Sequence, residues 1–313
     1  MAVSVRIGTS GWSYPSGKGK WNGLFYPATR SKRAGTAGFD ELRFYADHFD
    51  TVEVNSTFYG QPRAEVTRAW AQRTPAGFEF SMKLYQKFTH PRMYVDSTGE
   101  AATVVPDDVD GFRRAIDPIA DAGKLGALLA QFPPSFKNDA AARAYLDWLL
   151  EAFAAYPVAV ELRHRTWSDA GAQTLALLQR HESAWVQIDE PKFRFSVRQD
   201  RRPNAPGFYY MRLHGRNADA WWAHDRAEQR YDYLYSADEL RPITESLRAA
   251  RHGVGKVYVY LNNHFAAKAV VNAVQLQRAF DVPVRSTYPE AFVTRYPQIG
   301  ALVATATPSL PLA

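Results

Sequence analysis

Eight short runs of apolar, β-branched and aromatic residues, each closing on polar ones, predict buried strands at 5–10, 51–55, 78–83, 125–131, 158–163, 184–189, 208–214 and 256–262. Between them, apolar residues recur at helical spacing over 41–49, 64–73, 108–119, 140–154, 170–181, 237–251 and 266–280. Ser236 ahead of Asp238 and Glu239, Ser168-Asp169 and Asn138-Asp139 read as helix starts. Strands separated by helices run parallel, and eight such units predict an α/β fold, a single (β/α)8 TIM-type barrel over 1–281. The alternative is an open doubly wound sheet. Its Gly-rich phosphate turn is missing, because the first strand is followed by Gly8-Thr9-Ser10-Gly11-Trp12. Residues 282–313, with Pro, Ala and Thr, read as a C-terminal extension.

The chain of 313 residues exceeds the roughly 250 of a typical barrel by a modest margin. Hydrophobic residues at 46% and charged residues at 22% are ordinary globular usage, which excludes a fibrous or disordered chain. No run is long and apolar enough to span a membrane, and the first residues pass into a strand without a signal-type segment, so the expected location is cytoplasmic. The absence of cysteine excludes disulfides, thiolate nucleophiles, iron–sulfur ligation and cysteine-type zinc sites. A net charge of +6 is mildly attractive to anions, but the 38 basic and 32 acidic residues are scattered and decide nothing alone.

The strand ends are where such a barrel keeps its chemistry. They carry Thr9 and Ser10, Glu53 and Asn55, Lys83, Gln131, Glu161 with Arg163 and His164, Asp189, Arg212 with His214, and Asn262 with Asn263. A charge inside an apolar strand costs several kcal/mol unless paired, so Glu53 and Glu161 need partners. Glu53, Lys83, Glu161 and Arg212 either neutralise one another in a buried network or use that network as a site. Arg163, His164, Arg165, Arg212, His214 and Arg216 gather after the fifth and seventh strands, where Arg grips an oxyanion bidentately. Asn262-Asn263-His264 leads toward a helix whose N-terminal amides attract anions, unless Asn263 is an ordinary N-cap.

Two loops are crowded with aromatics: Trp12, Tyr14, Trp21, Phe25 and Tyr26 after the first strand, and Trp221, Trp222, Tyr231, Tyr233 and Tyr235 after the seventh. With Lys18, Lys20, Arg226 and Arg230 among them, they could stack bases or sugars, or simply roof the barrel. A divalent metal on Glu53, Glu161, Asp189, His164 and His214 is conceivable, but no metal-ligand spacing supports one. His90, His181, His224 and His252 carry no assigned role.

Ile-Gly-Thr-Ser-Gly-Trp-Ser-Tyr at 7–14, Phe-Tyr-Pro at 25–27 and Val-Glu-Val-Asn-Ser-Thr-Phe-Tyr at 52–59 resemble segments of the DUF72 (YecE-like) family. So do Gln-Phe-Pro-Pro-Ser-Phe at 131–136, Glu-Leu-Arg-His at 161–164, Arg-Leu-His-Gly-Arg at 212–216 and Leu-Asn-Asn at 261–263. The resemblance runs from about Arg6 to Phe280 and implies a barrel of unknown function, distantly similar to endonuclease IV and xylose isomerase, whose multi-histidine metal cluster is not evident here. Two departures add positive charge. Arg165 stands where the family often has proline, and the stretch 28–38, with Arg30, Lys32 and Arg33, is longer and more basic than usual.

The leading expectation is a site for a phosphate-bearing ligand, a nucleotide or nucleic acid, with hydrolysis as its reaction. Trp12, Asn55, Tyr59, Arg163, His164, Arg212, His214, Arg216, Asn262 and Asn263 are the binding candidates. Glu53, Lys83, Glu161 and Asp189 are the catalytic ones, with Glu161 or Asp189 as base and Lys83 or His164 stabilising charge. One alternative is a carbohydrate-active enzyme using Glu53 and Glu161, set back because strands two and five are expected far apart around the ring. The other is a non-catalytic nucleic-acid binder.

Overall fold

The computed structural model describes residues 3–28, 39–222 and 227–306. Its two larger sheets are built from β1 (Ser4–Thr9), β2 (Thr51–Val54), β3 (Glu79–Lys83), β4 (Leu125–Gln131), β5 (Val158–Glu161), β6 (Ala184–Trp185), β7 (Gln187–Asp189), β8 (Phe208–Leu213) and β9 (Lys256–Leu261). All pairings among them are parallel, in the orders β2-β3-β4-β5-β6 and β1-β9-β8-β7. β6 and β7 are one strand interrupted at Val186, and a single Ser10–Glu53 bridge links β1 to β2. These parallel sheets have the barrel-like α/β architecture that the alternation predicts.

The sixth strand is broken because side chains take over its backbone. Asn204 Oδ1 accepts from Trp185 N at 2.7 Å, Gln199 Oε1 accepts from Ile188 N at 3.0 Å, and Gln199 Nε2 donates to Val186 O at 2.7 Å. Helices cover the outer faces with apolar stripes. Val109, Phe112, Ile116 and Ile119 are the buried face of Pro106–Asp121, and Leu240, Ile243 and Leu247 that of Ala237–Ala250.

The interior is unusual in its polar filling. At the N-terminal end Glu79 meets Arg6, Lys256 and Tyr258; in the middle Tyr260 Oη lies 2.6 Å from Thr51 Oγ1 and 2.9 Å from Ser81 Oγ. Tyrosine suits such layers, since its ring fills volume while its hydroxyl finds a buried partner.

Two expectations change. Asp139 and Ser236 cap their helices, but Ser168-Asp169 ends a helix (Arg165–Asp169), which the His164 side chain caps by accepting from Thr166 N. Beyond residue 281 the extension packs on the rest of the chain: Tyr288, Phe292, Tyr296 and Ile299 are buried in the main core, and Tyr296 Oη donates to Ala266 O at 2.7 Å. The helix predicted from 266 begins at Lys268, after a turn in which Ala266 and Ala267 have φ of 51° and 60°. Arg30, Lys32, Arg33, His224 and Arg226, and residues 307–313 of the extension, lie outside the described residues, as does the side chain of Trp222.

Candidate functional site

The C-terminal ends of β2, β4, β5 and β8 converge on one guanidinium. Arg212 donates through Nε and Nη2 to Glu53 at 2.9 and 2.7 Å, and through Nη1 to Glu161 at 2.6 Å and Gln131 at 3.0 Å. Ser10 and Tyr210 donate to Glu53 at 2.7 and 2.8 Å. Two strands separate β2 from β5 in the sheet, as expected, yet Glu53 and Glu161 share this one guanidinium across the interior.

Arg163 extends the network. Its Nε donates to Glu161 at 2.6 Å, its Nη1 lies 3.4 Å from Glu190, and its Nη2 sits 3.2 Å from His214 Nε2. Burial alone would raise the Glu161 carboxyl, but Arg212 and Arg163 hold it well below the usual carboxylate range. Burial, reinforced by Arg212, pushes His214 down to about 3, so its ring is neutral. Its Nδ1 pairs with the Asn262 side chain at 3.0 Å.

Lys83 is the exception in this cluster. It lies one residue beyond the last β2–β3 pair, Val54–Met82, its side chain is only partly exposed, and its Nζ stands 3.8 Å from the centre of the Phe58 ring. Among the described residues its Nζ has no hydrogen bond or ion pair, although Arg212, Glu161, Arg163 and Glu53 all act on it electrostatically. Burial, then the positive charge of Arg212, lowers its amine to about 7. The Asn55 side chain, at the matching end of β2, is likewise unbonded among the described residues. Tyr59, 68% exposed, stands near it on the Ser56–Tyr59 turn, where Phe58 meets the His90 ring edge-on. His90, which carries no assigned role in the sequence, is lowered to about 3 by burial and Lys83.

Several candidates turn out to be scaffold. Arg212 has its donors committed to Glu53, Glu161 and Gln131, so it cannot also grip a ligand oxyanion. Asp189 is held by Arg216 at 2.8 and 2.8 Å, Arg201 at 2.9 Å and Tyr235 at 2.9 Å, which keeps its carboxyl low despite burial and removes it as a base. The same pairing consumes Arg216. Asn263 is no N-cap: it is fully buried and donates to Tyr233 O and Asn272 at 2.8 Å each. His164 points to its own helix start, with Nδ1 2.9 Å from Thr166 Oγ1. Arg165 is tied to Asp169 at 2.9 Å on the surface.

Glu53 and Glu161 share one arginine and are fully buried, and Glu161 is held ionised. A glycosidase pair needs one carboxyl kept protonated, which this arrangement opposes in Glu161. Among the first-loop aromatics Trp21, Phe25 and Tyr26 are core residues, Tyr14 stacks on His264 at 4.5 Å, and Trp12 packs edge-on against Trp70. They roof the barrel rather than offer open faces. Among the described residues no group of three or more His, Asp or Glu is arranged to hold a metal ion, and no helix is long and apolar enough to cross a membrane.

Glu190 was not among the candidates. It follows Asp189, is 7% exposed, and its Oε2 makes no hydrogen bond, although Arg163 is close. Burial raises its carboxyl against the pull of Arg163. The available signal was a second acid directly after a strand-end acid, where the pleat sends neighbours to opposite sides.

Fold and site together define a TIM-barrel-like α/β protein with a buried ion network at the C-terminal ends of its strands, beside an amine without a hydrogen-bonding or ionic partner among the described residues. The family model described as "Protein of unknown function DUF72" matches residues 6–293, and the chain belongs to that family. The UPF0759 protein YunF of Bacillus subtilis (strain 168) is 29% identical over 289 residues, 89% of this chain and 95% of that protein. A crystal structure of a DUF72 family protein from Thermotoga maritima MSB8 is similar with a TM-score of 0.74 and 31% identity, covering 89% of this chain and 99% of that one. Another, from Enterococcus faecalis V583, gives 0.75 and 26%, covering 89% and 96%.

Proposed function

We propose that the chain is an enzyme acting at this face on a small substrate that carries a phosphate or similar oxyanion, with Lys83 as its acid–base group. The observation that carries this reading is the Lys83 amine, a cation of the cluster without a carboxylate or carbonyl partner among the described residues. Protonated, it is available to an oxyanion that Arg212 cannot take. At about 7 it gives up or accepts a proton at neutral pH, the condition for efficient general acid–base catalysis. Glu190, with its raised carboxyl and unbonded oxygen, supplies a second proton-transfer group of opposite type. Asn55 and Tyr59 stand ready as neutral hydrogen-bonding groups at the rim.

Thermal denaturation in inorganic phosphate, for wild type and Lys83→Met, tests the reading. A ligand that binds only the folded state raises the melting temperature. The expected result is a phosphate-dependent rise in wild type that is lost in the variant. An equal rise in both would overturn it.

A further inference from the structure

The same amine has a second chemistry open to it, and this step rests on the reading of Lys83 as the site's reactive group. We propose that Lys83 forms a covalent imine with a small aldehyde or ketone substrate. Three features of the surroundings carry this. First, Nζ has no hydrogen-bonding or ionic partner among the described residues, so its lone pair, once free of the proton, is not held elsewhere. Second, burial and the positive charge of Arg212 and Arg163 favour the neutral, nucleophilic amine, and they outweigh the attraction of the Phe58 ring face, 3.8 Å away, for the ammonium form. Third, Nζ is reachable: the side chain is partly exposed, and Nζ is not among the buried atoms left without partners. Lys124, which is buried, lacks these features, since its Nζ donates to Ala71 O at 2.6 Å and Thr74 O at 2.7 Å.

The step balances without a further reactant. The Nζ lone pair attacks the carbonyl carbon, a C–N bond forms, and the C=O π pair moves to oxygen. The two hydrogens of the neutral amine leave with that oxygen as water, and the imine nitrogen takes one proton from solvent to become an iminium. Glu161, held ionised and within electrostatic reach of Lys83, faces that positive charge.

The test is reductive trapping on the intact chain. Glyoxylate and cyanoborohydride are added at pH 7, and the cyanoborohydride hydride reduces any C=N bond to a stable secondary amine. Peptide mass mapping then locates the adduct. The exposed Lys18 and Lys20 serve as internal controls. An amine near 7 has roughly a thousandfold more free base at this pH than one at 10.4. The expected result is an adduct at Lys83 formed at least about tenfold faster than at the controls, and absent in Lys83→Arg. Labelling that follows exposure alone, or no adduct at Lys83, overturns the imine. If the phosphate-dependent stabilisation persists in that case, only the imine falls; if both are missing, the acid–base reading falls with it.

Discussion

Arg212 clasps Glu53 through two nitrogens, Nε at 2.9 Å and Nη2 at 2.7 Å, with both residues at most 1% exposed. Their strands, β8 and β2, belong to different sheets, so this pair ties the two halves of the barrel together. Removing one partner of a buried pair leaves an uncompensated charge, at a cost of about 3–5 kcal/mol. Arg212→Met strands Glu53 and Glu161 together and should destabilise by at least that much, read from urea unfolding. Adding Glu53→Gln should recover part of the loss. Near-native stability in Arg212→Met would show that the arginine is not structural.

Lys83→Met should do the reverse. The Lys83 amine is lowered to about 7 in the folded chain, against 10.5 for an ordinary lysine. Between those values the unfolded chain holds a proton that the folded chain lacks, so wild-type stability rises with pH through this window. Below about 7 the folded protein carries the full cost of a poorly solvated ammonium. The variant should therefore gain most over wild type at pH 6, with the advantage shrinking by pH 9. An advantage independent of pH would contradict this.

The strands were legible because burial on both faces of a parallel sheet forces near-continuous apolar runs, and their polar ends showed where chemistry collects. The split of those polar residues between scaffold and site was not legible. Asp189 and Arg216 look as functional in sequence as Lys83 does, and only their mutual 2.8 Å bonds reveal that they satisfy each other. The sixth strand's break depends on Gln199 and Asn204 reaching back to it, a long-range event with no local signal. Ser168-Asp169 misled because Ser168 Oγ accepts from Arg198 N and Asp169 pairs with Arg165, so neither caps a helix.

His264 reports on the roof. Sandwiched by Tyr14 at 4.5 Å and Tyr231 at 4.9 Å, it is pushed by burial to about 4. Between about 4 and 6.5 the unfolded chain takes up a proton that the folded ring refuses, so the contribution is intact above 6.5 and is lost as pH falls toward 4. Replacing it by Asn should flatten the pH dependence of unfolding free energy by up to about 1.4 kcal/mol per pH unit in that window. Parallel curves for the two proteins would place His264 in solvent.

Gly8 tests the seam between β1 and β2. A Cβ there would lie 2.2 Å from Thr51 O, backbone that cannot swing aside. Gly8→Ala should push β1 from β2, where the ladder is a single bridge, and cost about 1–3 kcal/mol or more in urea unfolding. A neutral result would mean that these strands do not approach so closely.

The central claim is that Lys83 is an unpaired amine that loses its proton near neutrality. Its acylation rate by a small activated ester, followed by peptide mass mapping from pH 5 to 11, measures this directly. The account predicts a half-rise near 7 for Lys83, well below that of an ordinary lysine. A Lys83 profile that follows Lys18 and Lys20 would contradict it.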